Sequence, residues 1–152
     1  MTADSRRDER SLPAGAAALG YAGLLPLVVG ALGIVLLEGE LRAFAARALV
    51  AYGAVILSFV GAVHWGLLLA RPGARAPARL LAGVLPSVAG WAALLLVPRH
   101  GLALLAVSFG LFWLYEHRRL GATFLPAAYL VLRRNLTLAV CALLTLGLVA
   151  LG

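Results

Sequence analysis

The sequence predicts an all-α polytopic membrane protein, a single bundle of five transmembrane helices. Two observations carry this reading. Hydrophobic residues make up 63% of the 152 positions and charged residues 12%, against about 45–50% and about 25% in an average soluble domain. The charges also cluster between long uncharged runs, several of them close to the roughly 20 residues that cross a bilayer. A water-soluble fold of this length cannot hide so much apolar surface, and the mean hydropathy is +1.00. Lipid removes the need to hide it.

Residues 1–14 are polar and of mixed charge, with Asp4, Arg6, Arg7, Asp8, Glu9, Arg10 and then Pro13. They read as a cytoplasmic tail ahead of one transmembrane domain, 15–152. Ser5-Arg6-Arg7 is similar to the start of a twin-arginine export signal, but acidic residues follow it. The uncharged run Pro13–Leu37 is long enough to span, so it reads as a retained helix. The first span is 16–37, closed by a polar turn of Glu38, Gly39, Glu40 and Arg42. The second is 47–70, ended by Arg71-Pro72-Gly73, with Arg75, Pro77 and Arg79 continuing the loop. The third is 80–97, closed by Pro98, Arg99, His100 and Gly101. The fourth, 102–115, is short and ends at Glu116-His117-Arg118-Arg119. The fifth is 136–151. Ahead of it, 126–134 reads as an interfacial turn of helix, with Pro126 at the first helical position, where a missing N–H costs nothing, so the last helix can start at Pro126 and enter the membrane obliquely.

All 13 basic residues are arginine. Five spans put ten of them on one side (Arg6, Arg7, Arg10, Arg71, Arg75, Arg79, Arg118, Arg119, Arg133, Arg134) and three on the other (Arg42, Arg47, Arg99). Arginine-rich short loops stay in the cytoplasm. The expected location is therefore a bacterial inner membrane, N-terminus cytoplasmic and C-terminus periplasmic. Arginines lying between apolar runs mark topology, and the net charge of +7 is not read as nucleic-acid binding.

Helices in lipid associate through close backbone approach and small residues. The second span carries Ala54, Ser58, Ala62 and Gly66 at four-residue spacing, and the third carries Gly83, Ser87 and Gly90. Another helix is expected on each stripe. Pro26 and Pro86 fall inside spans one and three, where each removes a helix hydrogen bond and kinks its helix.

Few residues carry chemistry. His64 is an ionisable group inside a span, a type that tends to face a bundle interior, and its readings are a structural hydrogen bond or a contact to a ligand. Trp65 and Trp113 suit an interfacial belt, whereas Trp91 sits nearer mid-span and is a candidate pocket residue together with Ser87, one turn before it. Glu116 and Arg133 flank the fourth loop and are a candidate ion pair pinning span four to span five. No metal-ligand spacing links His100 and His117, and no GxSxG, P-loop, GxGxxG or CxxC is present. Cys141 is a lone cysteine in an apolar run and reads as a small hydrophobe. No metal and no cofactor is expected.

The stretches Leu19–Pro26, Tyr52–Gly66 and Gly83–Ser87 with Trp91, followed by Tyr129, Leu132-Arg133 and Leu136-Thr137, resemble the small bacterial membrane proteins of unknown function grouped with transmembrane protein 69 of mitochondria. The run from Ile56 to Gly66 is the most specific part. The sequence departs from the pattern after span four, where Tyr115-Glu116 stands in place of an aspartate. The resemblance implies a multi-span fold in a bacterial inner membrane and no known activity. It marks Ser58, Gly61, His64, Trp65, Gly66, Pro86, Ser87, Trp91 and Arg133 as motif positions.

The functional expectation is a non-enzymatic accessory or assembly factor docked on a larger membrane complex, with the bilayer and a membrane protein as partners. The alternative is a bundle that binds or transports an apolar small molecule (a quinone, a tetrapyrrole or a lipid), with Pro26 and Pro86 opening a cavity read by His64 and Trp91.

Overall fold

A computed structural model describes residues 15–69, 77–119 and 127–152, the side chains of His64 and of residues 67–69, 77–79, 119 and 127 excepted. The tail 1–14, the loop carrying Arg71, Arg75 and the turn at Pro126 lie outside the described residues. Among the described residues the chain is helical: α1 (Ala16–Ala22), α2 (Leu25–Leu36), α3 (Gly39–Leu69), α4 (Pro77–Leu95), α5 (Pro98–Arg119) and α6 (Ala127–Ala150). The segments α1 and α2 form one bent rod, so the fold is a bundle of five. Three rods, Ala16–Leu36, Gly39–Val63 and Ala128–Ala150, are long and apolar enough to cross a membrane. The apolar part of α4 is shorter, Leu80–Leu95, and α5 completes the bundle. Large apolar side chains face outward throughout, among them Val29, Phe59 and Val149, each about 70% exposed. That is the surface a lipid solvent selects.

The bend follows from Pro26, the second residue of α2. Proline has no N–H to offer the carbonyl four residues back, so the rod breaks at Gly23-Leu24 and restarts. The Tyr52 hydroxyl of α3 donates to the Gly23 carbonyl at the break, 3.0 Å away. Pro86 lies inside α4 instead, and its ring is buried against α3.

The rods run up and down. Two links are tight: Leu37-Glu38 joins α2 to α3, and Leu96-Val97 joins α4 to α5. Gly39 opens α3 at φ 57°, a left-handed turn that other residues resist. The helix α3 therefore begins eight residues before the expected span at 47, with Arg42 inside it. The guanidinium of Arg42 donates to the Ala150 carbonyl of α6, and Arg99 packs its own against Gly152. Both cations meet the carbonyl-rich C-terminal end of α6, where the helix dipole favours them. The helix α6 is continuous through 127–150, so the interfacial turn expected ahead of the fifth span and the span itself form one rod, as a helix starting at Pro126 implies.

The long helix α3 packs against α2, α4 and α5, and α6 against α2 and α5. The closest approach is between α3 and α4. A Cβ built on Gly61 would stand 2.6 Å from the Gly83 carbonyl oxygen and 3.1 Å from the Pro86 ring. One built on Gly83 would meet the Trp65 indole at 2.6 Å, and one on Gly90 the Ala54 carbonyl at 3.0 Å. From Ala54 to Gly61 is two turns forward on α3, and from Gly90 to Gly83 is two turns back on α4. This is an antiparallel heptad register of small residues. The packed stripe on α3 is thus Ala54, Leu57, Gly61 and Trp65, not Ala54, Ser58, Ala62 and Gly66. A four-residue stride overshoots a full turn by about 40°, so over three steps the expected stripe winds off the face. Ala62 and Gly66 end exposed, and Ser58 spends its hydroxyl on the Ala54 carbonyl at 2.9 Å.

Two glycines of the same motif should therefore respond oppositely to one methyl group. Gly61→Ala is expected to cost about 1–3 kcal/mol through overpacking. Gly66→Ala, with nothing within 4 Å of the added carbon, should be neutral or stabilising by up to about 1 kcal/mol. Unfolding in mixed micelles measures both, and equal losses would contradict this packing.

Candidate functional site

Buried charge singles out one place. Glu116, near the end of α5, is 5% exposed, and Arg133 faces it from α6. Arg133 Nε donates to Glu116 Oε2 at 3.0 Å, and Nη2 lies 3.0 Å from the same oxygen. Nη1 donates to Thr137 Oγ1 at 3.1 Å, and that hydroxyl donates to the Arg133 carbonyl at 2.9 Å. Thr137 stands one turn beyond Arg133, so a single face of α6 presents the cation and the group that steadies it. Glu116 stands just beyond the apolar run 102–115. Burial raises its carboxyl above the usual carboxylate range, while the charge and hydrogen bond of Arg133 work in the opposite direction.

Space opens on both sides of this pair. Outside it, a pocket of about 280 Å³ is lined by Trp113, Glu116, His117, Leu130, Val131 and Arg134. Trp113 and His117, one turn apart on α5, stack with ring centres 5.4 Å apart and planes 19° apart. Inside it, a cavity of about 190 Å³ lies at the α1–α2 break, with Leu24, Phe59, Phe109 and Val140 in its wall and Arg133 as its charged residue. A third space, an apolar groove of about 440 Å³, runs between α4 and α5 past Pro86, Ser108 and Tyr115.

The residues marked in the sequence are distributed as follows. Gly61, Trp65 and Pro86 come together at the α3–α4 contact. Ser58 is bonded within α3, and Gly66 is exposed. Pro26 is exposed at the start of α2. Ser87 and Trp91 face outward from α4, Trp91 62% exposed, and Trp91 lines none of the three spaces. The side chain of His64 lies outside the described residues. Among the described residues no group of His, Cys, Asp or Glu is arranged to hold a metal. Cys141 lies 3.6 Å from the Ala106 carbonyl of α5. The sequence reading passed over Thr137, His117 and Arg134 as parts of this site. Their signal was the one-turn spacing of Trp113 with His117 and of Arg133 with Thr137.

The profile of a family described as protein of unknown function (DUF3429) matches residues 12–149, and the chain belongs to that family. No curated protein and no solved structure matches it.

The buried pair should behave as a unit. Removing one partner leaves an uncompensated charge, so Glu116→Leu or Arg133→Leu is expected to cost about 3–5 kcal/mol, while the double variant recovers most of that loss. A double-mutant unfolding cycle reads the coupling, and additive losses would show that the two groups act separately.

Proposed function

We propose that this DUF3429 chain is a non-enzymatic accessory or assembly factor of a larger complex in a bacterial inner membrane, and that α4 is its docking face. The supporting observation is one outward stripe on that helix. Val84, Ser87, Val88, Trp91 and Leu95 share a face at three- and four-residue spacing, and all are exposed. A hydroxyl and an indole N–H turned outward among aliphatic groups gain little from acyl chains, and polar groups are what join helices in lipid. Tryptophan also supplies large contact area with a hydrogen-bond donor, which suits an interface.

The family's placement beside transmembrane protein 69 of mitochondria belongs to the same proposal, supported by the run from Ile56 to Gly66. So does the orientation, N-terminus in the cytoplasm. Arg133 is buried and paired, so it no longer counts as a loop charge. The remaining arginines still favour the N-terminal side, with Arg42, Arg47 and Arg99 opposite. A second reading, an apolar small-ligand bundle, is favoured by the cavity at the α1–α2 break, where one arginine borders an otherwise apolar wall.

Photo-crosslinkers at Val84, Val88 and Leu95 are expected to label one and the same membrane protein in cells. Crosslinkers at Leu138 and Val149 of α6, also exposed, should label lipid or nothing constant. Ser87→Leu with Trp91→Ala should lower recovery of that partner about tenfold, equivalent to about 1.4 kcal/mol, without changing unfolding. Uniform labelling from both helices would sink the docking face. A C-terminal alkaline phosphatase fusion should be active, and an inactive fusion beside a fluorescent cytoplasmic reporter at the same end would invert the orientation.

A further inference from the structure

We infer that the pocket between the ends of α5 and α6 binds the phosphate headgroup of an anionic phospholipid. The site is independent of the docking role on α4. Its base is the Glu116–Arg133 pair, whose carboxylate is held by Arg133 Nε at 3.0 Å. With that pair neutralised, the charge at the mouth belongs to Arg134, with Arg118 and His117 exposed on α5 beside it. Among the described residues Glu116 is the one acid at this end, since Glu38 and Glu40 lie at the opposite end of the bundle.

The ligand must also be amphipathic. Leu130 and Val131 of α6 form the outer wall, Val131 half-exposed, and a soluble phosphate compound gains nothing from them. An acyl chain lies against them directly. Trp113 suits the belt of interfacial tryptophans that meets ester carbonyls, and its stacking on His117 fixes the imidazole at the mouth. Basic pockets between helices at an arginine-rich membrane face are matched to anionic headgroups by charge and by depth. A volume of about 280 Å³ takes the headgroup and the first part of one chain, the rest of the lipid remaining in the bilayer.

The test is lipid retention by the full chain, purified in mild detergent with equimolar phosphatidylglycerol and phosphatidylcholine and read by native mass spectrometry. Phosphatidylglycerol is expected to be retained about ten- to thirtyfold over phosphatidylcholine, the preference that Arg118 and Arg134 supply. Arg118→Gln with Arg134→Gln should abolish the preference. Arg47→Gln, an exposed arginine nearer the other end of the bundle, should keep it. Equal retention of both lipids would overturn the proposal, as would an equal loss in Arg47→Gln, which would mean diffuse attraction. Displacement of phosphatidylglycerol by millimolar inorganic phosphate would also overturn it, identifying a site for soluble phosphate.

Discussion

Between α3 and α4 the two backbones meet, and the bundle depends on that contact. Inside a bilayer the backbone must satisfy its own hydrogen bonds, so the chain is committed to helices before any tertiary contact forms. Lipid then offers no hydrophobic drive to bring the helices together. What remains is interhelical hydrogen bonding and dispersion, and dispersion falls away steeply with distance. Gly61 and Gly83 remove the side chains that would hold α3 and α4 apart, and the Trp65 indole covers Gly83. Two turns away, Gly90 repeats the arrangement against Ala54. The motif residues Gly61, Trp65 and Pro86 are therefore accounted for first by packing, and Ser87 and Trp91, which lie off this seam, are the ones left to act outward.

Charge adds to the glycine contacts in placing α6, where Gly147 already packs against Leu49 and Ile34. Arg42 reaches α6 across 108 residues of sequence to take the Ala150 carbonyl, and Arg133 takes Glu116 across 17. These two contacts tie α6 near its two ends, to α3 at one and to α5 at the other. In a low-dielectric surround such pairs are strong in Coulomb terms but costly to desolvate. Their chief effect is to fix which helix stands next to which.

The same two arginines explain what could and could not be read from the sequence. The five rods were legible because apolar runs of spanning length are a strong signal. The ends of α3 and α6 were not. Glu40 and Arg42 looked like a loop, and Arg133-Arg134 looked like the end of an interfacial turn ahead of the last span. A charge reads as solvent-facing unless its partner is known, and the partner of Arg42 is a backbone carbonyl at the far end of the chain. The pairing of Glu116 with Arg133 was within reach because one short connection separates them. Thr137 needed the further step of asking what lies one turn beyond Arg133. The packing stripe on α3 was misplaced for a geometric reason, since four-residue spacing alone does not follow a helix face for three turns.

The two ends of the bundle are built differently. At the end with the tight links Leu37-Glu38 and Leu96-Val97, the core is continuous, from Leu27, Ala31 and Ile34 through Leu49 and Leu57 to Leu102, Leu105 and Leu144. The three spaces open toward the other end, around Arg133, Trp113 and Pro86. The Gly61–Gly83 contact and the Glu116–Arg133 pair hold the rods at the open end too, so the groups that can meet different neighbours there are those lying outside these contacts. Binding of a lipid or a partner by those outer groups need not break the contacts that hold the fold, and Arg134, His117 and Trp113 are among them.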